Sequence, residues 1–160
     1  MKTPIQDLNQ IAKLNRLRRI SRILDNAIAI PGTKIRLGID PILGLLPGGG
    51  DTVSGGLSAY IVVEAARMGL PREVLWQMVG NIILDSVAGT IPVVGDLFDV
   101  GWKSNVRNIA LLEKHIEVAE SSKSDRLFIF GLIVLLVLII VGFAAITVFT
   151  VSWIWGLIFQ

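Results

Sequence analysis

The chain has no cysteine and a single histidine, His115. Disulfides, thiol nucleophiles and cysteine-ligated zinc or iron–sulfur centres are therefore excluded. One imidazole per chain also excludes a two-histidine metal site or a histidine-bridged dyad. Charge is missing from one long stretch, since Leu127 to Phe159 holds no charged residue in 33 positions. No alternating run is long enough to propose a sheet. The start, Met1-Lys2-Thr3-Pro4-Ile5, continues polar and does not read as a signal peptide.

Hydrophobic residues make up 52% of the 160, and mean hydropathy is +0.68. That excess is largely local to the C-terminal run. About 20 apolar residues suffice to cross a bilayer, so this run predicts a transmembrane segment, in the simplest case one helix from about Leu127 to Phe149. Trp153 and Trp155 would then lie near the far interface. A straight helix through all 33 residues would be ~50 Å long, more than the hydrocarbon core. The surplus must tilt, break near Gly142 or lie in the interface. A tight hairpin would need two unusually short spans. Arg107, Lys114, Lys123 and Arg126 precede the run and no charge follows it. The positive-inside rule thus places the preceding domain in the cytoplasm, in a tail-anchored, single-pass layout.

The preceding 126 residues are organised around one pattern that occurs twice, Asp-x3-Gly-x2-Pro-x2-Gly-Asp. It runs from Asp40 to Asp51 and again from Asp85 to Asp96, offset by 45 residues. Fixed residues at identical spacing read as an internal duplication. In each copy the Pro and Gly residues predict a corner. The closing Asp51 or Asp96 predicts an N-cap for the next helix, Thr52 to Met68 or Asp96 to about Glu120. Gly69 suits the end of the first of these helices, and Pro71 the start of another to about Leu84. Ahead of the corners, Thr3-Pro4-Ile5-Gln6 is a helix start, and the helix runs to about Ile28. Leu14, Leu17, Leu24 and Ile28 share one face of it, while Arg18, Arg19 and Arg22 point elsewhere. A membrane-surface contact through those arginines and a core-packing helix with a solvated cationic face both fit. The predicted fold is all-α. It comprises a basic amphipathic helix (1–29), a duplicated helical domain (30–120), a linker (121–126) and a transmembrane anchor (127–160).

Whether the domain itself enters the membrane is open at this level. The uncharged runs Thr52–Val63, Val74–Leu84 and Ser86–Gly95 suit buried helices or re-entrant segments. Gly55, Gly56, Ser58 and Ala59 form a small-residue face of the kind that packs helices closely in lipid.

The candidate metal ligands are Asp40, Asp51, Asp85, Asp96 and Asp99. Without His or Cys they could hold only a hard cation, Mg²⁺ or Ca²⁺. Helix capping explains Asp40, Asp51 and Asp96 with no ligand at all. Asp85 falls at the end of an apolar run and is harder to explain as a cap. Leu46 to Thr52 is glycine-rich but lacks the Gly-Lys-Ser/Thr ending of a phosphate loop, and Asp51 would repel phosphate. Ser54, Ser58 and Ser86 have no base partner, and His115 sits on a polar helix end. Asp99, Lys103 and Arg107 form an i, i+4, i+8 stripe, with Phe98 and Trp102 also i, i+4. Phe98, Trp102, Lys103 and Arg107 are accordingly a candidate partner face. Nucleic acid is not an expected partner, since no aromatic interleaves the arginines and no reading motif follows.

Several stretches carry a family resemblance: Leu24-Asp25-Asn26-Ala27-Ile28, Ile30-Pro31-Gly32-Thr33, Gly38-Ile39-Asp40-Pro41-Ile42-Leu43-Gly44-Leu45-Leu46-Pro47-Gly48, Ile91-Pro92-Val93-Val94-Gly95-Asp96-Leu97-Phe98-Asp99, Trp102-Lys103 and Asn105-Val106-Arg107-Asn108. Over about residues 20 to 115 the chain resembles the uncharacterised bacterial domain-of-unknown-function family 4112. The resemblance implies a bacterial protein and a domain often found near membrane segments, and it brings no established activity. The expected function is a non-enzymatic, inner-membrane-anchored interaction or scaffold domain, partnered by the bilayer and by a protein or a second copy of the chain. The alternative is ion or proton handling through the repeated aspartates.

Overall fold

The computed structural model describes residues 4–26, 28–29, 36–37, 50–89, 103–119 and 125–158. They form five helices: α1 (Pro4–Asn26), α2 (Gly50–Arg67), α3 (Arg72–Gly89), α4 (Ser104–Ala119) and α5 (Arg126–Ile158). A two-residue antiparallel ladder joins β1 (Ile28–Ala29) to β2 (Arg36–Leu37), with Ile28 opposite Leu37. The fold is all-α, as the sequence predicts. Ile28 is a correction: α1 stops at Asn26, and Ile28 starts the ladder instead of extending the helical stripe.

α2 is the central helix. Ile61, Val62, Ala65 and Ala66 are buried, and α1, α3, α4 and α5 all pack on it. It ends where Gly69 takes a positive φ of 87°. The Gly69 N–H donates to Ala66 O (3.0 Å) and Leu70 N–H to Ala65 O (3.2 Å), the paired bonds that close a helix with a left-handed residue. Leu70 then drops into the core, and Pro71 leads straight into α3. α1 contributes Leu17 and Leu24, both fully buried, with Ser21 between them, so the predicted apolar face does pack inward. α4 presents Asn105, Asn108, Ile109 and Leu112 inward.

α3 is longer than the sequence suggests. It continues through Asp85 to Gly89, so Asp85 lies inside the last turns of a helix and not at a corner. Of the two repeated corners, residues 40–49 and 90–96 lie outside the described residues. α2 starts at Gly50, so Asp51 stands in its first turn and not ahead of it.

α5 is one uninterrupted helix of 33 residues. A hairpin and a break at Gly142 are both ruled out. Asp125 caps it: its Oδ1 accepts the N–H groups of Leu127 (3.1 Å) and Phe128 (3.2 Å), and its Oδ2 accepts Arg72 Nη2 at 2.7 Å. This bond fixes the start of α5 beside the start of α3. At the other end of α2, a Cβ on Gly55 would lie 3.2 Å from Ile140 Cγ1. α5 therefore runs antiparallel to α2. Ile129, Leu132 and Leu136 are buried in the common core, with Ile133 and Ile139 packed against it. From Val141 onward none of the described residues of α5 is buried. The helix thus has two parts: residues 126–140, ~22 Å long, belong to the domain, and residues 141–158 project ~27 Å beyond it. The small-residue face of α2 is used in part. Gly55 meets α5 and Ser58 is buried, whereas Gly56 is exposed with open space around it.

Candidate functional site at the α1–α4 junction

The densest buried polar cluster among the described residues lies where the end of α1 meets the start of α4. Both helix ends carry unpaired backbone groups, N–H at one and C=O at the other. The Lys103 carbonyl accepts the Arg107 N–H at 3.0 Å, which makes Lys103 the N-cap of α4. Lysine has no acceptor to offer the free N–H groups. Asp25, from the last turn of α1, supplies it: its Oδ2 accepts the Val106 N–H at 2.7 Å and its Oδ1 the Asn105 Nδ2 at 2.8 Å. In return Lys103 Nζ donates to the Asp25 backbone carbonyl at 3.0 Å. Each helix thus caps the other, with an anion at the positive end of one dipole and a cation at the negative end of the other.

Burial raises the Asp25 carboxyl pKa above its ordinary value of 3.8; the hydrogen bonds from Asn105 and Val106 and the Lys103 charge oppose that rise. The cluster continues inward. Asn81 Nδ2 donates to Asn108 Oδ1 at 2.8 Å, and Asn108 Nδ2 to the Met78 carbonyl at 3.3 Å, tying α4 to α3. Ser104 Oγ and Asn105 Oδ1 are buried with no partner among the described residues. Further along, Arg18 Nε donates to Glu113 across the same helix pair.

The predicted site residues are distributed differently. Lys103, expected on a partner face, is half-buried and turned onto Asp25. Arg107 is exposed on the outer side of α4, and Phe98 and Trp102 lie outside the described residues. Asp40, Asp96 and Asp99 also lie outside them, and of Asp51 only the backbone is described. Asp85 is half-buried within α3. Among the described residues no three His, Cys, Asp or Glu side chains are grouped closely enough to hold a metal ion. Arg19 and Arg22 are exposed, whereas Arg18 is spent on Glu113 and on Asn15 Oδ1 (3.2 Å). His115 Nδ1 lies 2.9 Å from the Leu111 carbonyl one turn back; a carbonyl only accepts, so that nitrogen carries the proton.

The family model described as Domain of unknown function (DUF4112) matches residues 13–116, well over half of the chain. The chain belongs to the DUF4112 family. No curated protein and no solved structure matches it. The DUF4112 match takes in most of α1, all of α2 and α3 and most of α4, and hence every residue of the reciprocal cap. It ends before α5, although Ile129, Leu132 and Leu136 complete the core. Asp25, Asn105 and Asn108 are residues the sequence shows but does not interpret. The available signal was periodicity: Asn105 and Asn108 occupy the stripe continued by Ile109, Leu112 and Ile116, where a helix that packs inward is normally apolar.

Proposed function

We propose that this DUF4112 protein is a non-enzymatic domain anchored in the bacterial inner membrane, presenting an interaction surface to the cytoplasm. The observation that carries the reading is α5. The stretch Arg126–Thr150 is long and apolar enough to cross a membrane, and the helix is welded to the domain by its first half. Residues 141–158 alone cover ~27 Å, close to a hydrocarbon core of about 30 Å. Cationic Arg107, Lys114 and Arg126 before the apolar run support a cytoplasmic domain. The interaction reading is supported by how the buried polar groups are used. Asp25, Lys103, Asn105, Asn108 and Asn81 join helices to one another, and His115 is turned onto its own helix.

Alkaline carbonate washing of membranes carrying the full chain tests the anchor. The wild-type chain stays in the pellet, and Ile146→Arg combined with Phe149→Arg, both outside the core, moves it to the supernatant. A wild-type chain released by carbonate overturns the anchor. A specific turnover abolished by Asp85→Asn would overturn the non-enzymatic reading.

A further inference from the structure

Among the described residues α1 exposes Leu8, Ile11 and Ile23, and the larger group of exposed apolar side chains lies along α3 and the first half of α5. On α3 they are Trp76, Ile83, Leu84 and Val87, which with Gly80 fall at i, i+4, i+7, i+8 and i+11, one stripe of the helix. On the first half of α5 they are Leu127, Phe130, Val134, Val137 and Leu138, opposite the seam of Ile129, Leu132 and Leu136. The two stripes adjoin. Trp76 meets Phe128 edge-to-face with ring centroids 6.5 Å apart, and the Arg72 guanidinium lies 4.6 Å from the Phe128 ring centre.

Charge is confined to one end of this face. Arg72, Glu73, Asp125 and Arg126 stand together at the starts of α3 and α5, and no charged residue occurs from Val74 to Leu84 or after Arg126. α1 and α4 differ in carrying charge along their exposed faces: beside Leu8, Ile11 and Ile23 they expose Arg19, Arg22, Glu113 and Lys114. So large an apolar patch on a soluble surface marks an interaction site. This one runs without interruption into the projecting half of α5.

We propose that lipid covers it: the outer faces of α3 and of the first half of α5 lie against the bilayer. The proposal rests on α5 being a membrane span. A helix of ~50 Å exceeds a hydrocarbon core of about 30 Å and accommodates by tilting. An inclined α5 keeps one side of its first half on lipid while α2 packs on the other side. α3 then lies alongside at the interface, with Trp76 at the depth that indole rings favour. Arg72 and Arg126, on their long stems, reach the headgroups. α1 and α4 face water. The domain is therefore a lipid-contacting body, held by a face as well as by a stalk.

Because the chain has no cysteine, single nitroxide labels can be placed without first removing a native thiol. Ile83→Cys and Val87→Cys report on α3, Phe149→Cys on the projecting half of α5, and Arg22→Cys on the aqueous side; all four positions are exposed. The labelled full chain is reconstituted in vesicles of phosphatidylethanolamine and phosphatidylglycerol, and collision with oxygen is compared with collision with a water-soluble nickel chelate. Labels at 83, 87 and 149 favour oxygen and the label at 22 favours nickel, so the logarithm of the ratio changes sign between the two faces. A label at 149 in lipid with labels at 83 and 87 in water overturns the lipid face alone. Labels at 83 and 87 closed to both reagents and broadened by spin–spin coupling assign the face to a second copy and overturn it too. A label at 149 in water overturns the membrane anchor itself.

Discussion

Asp25 carries a charge that its surroundings only partly compensate. Its pKa is raised in the fold, so between the ordinary value of 3.8 and the folded value the native state holds a proton that the unfolded chain has lost. The stabilisation from this group is fully present below the ordinary carboxylate pKa and is lost as pH rises through the folded value. Asp25→Asn therefore removes a downward slope in stability with rising pH, read as the difference between variant and wild-type unfolding midpoints across a pH series. The amide still accepts from Val106, and a flipped Asn105 side chain can offer its otherwise unpartnered Oδ1 to the new N–H. Asp25→Ala leaves Val106 N–H and Asn105 Nδ2 buried without acceptors and costs about 2–3 kcal/mol, measured by chemical denaturation. A loss equal to that of Asp25→Asn would contradict the cap. No local rule connects Asp25 to a helix start 78 residues further on, so the pairing could not be read from the sequence. What was legible was only that Asn105 and Asn108 sit where apolar residues belong.

At the scale of elements, α5 divides into a packed half and a projecting half, and substitutions should report the boundary. Leu136→Ala empties part of the core and costs about 2–5 kcal/mol. Ile146→Ala, on an exposed face beyond the core, stays within about 0.5 kcal/mol. Both are read as unfolding midpoints in the same detergent. On α2, Gly55→Val drives a branched side chain into Ile140, already 3.2 Å from a single Cβ, and costs about 1–3 kcal/mol. Gly56→Ala meets nothing within 4 Å and gains about 0.5–1 kcal/mol from helix propensity. Most helices were legible, because apolar period, Pro71 and Gly69 act locally, but α4, expected from Asp96, starts at Ser104 behind a non-helical Lys103. α3's extension through Asp85 was not, since a polar residue ending an apolar run resembles a stop until its helix is seen to continue. The split of α5 was not legible either. A uniformly apolar run gives the same signal whether its neighbour is lipid or another helix.

For the whole molecule, α5 is part of the fold and not a helix appended to it. A chain ending at residue 122 loses Ile129, Leu132 and Leu136 from the core. It is expected to lose cooperative thermal unfolding by circular dichroism, whereas one ending at residue 140 keeps it. The family match stops at residue 116, so the DUF4112 domain in this chain relies on a helix beyond its own limits. The proposed arrangement has the domain on one side of a bilayer and the far end of α5 on the other. Labelling of right-side-out and inverted membrane vesicles with an impermeant maleimide tests that most directly, using Arg22→Cys in one protein and a cysteine added after Gln160 in another. Arg22→Cys is expected to react only in inverted vesicles and the added cysteine only in right-side-out ones. Reaction of both from the same side would contradict a crossing by α5.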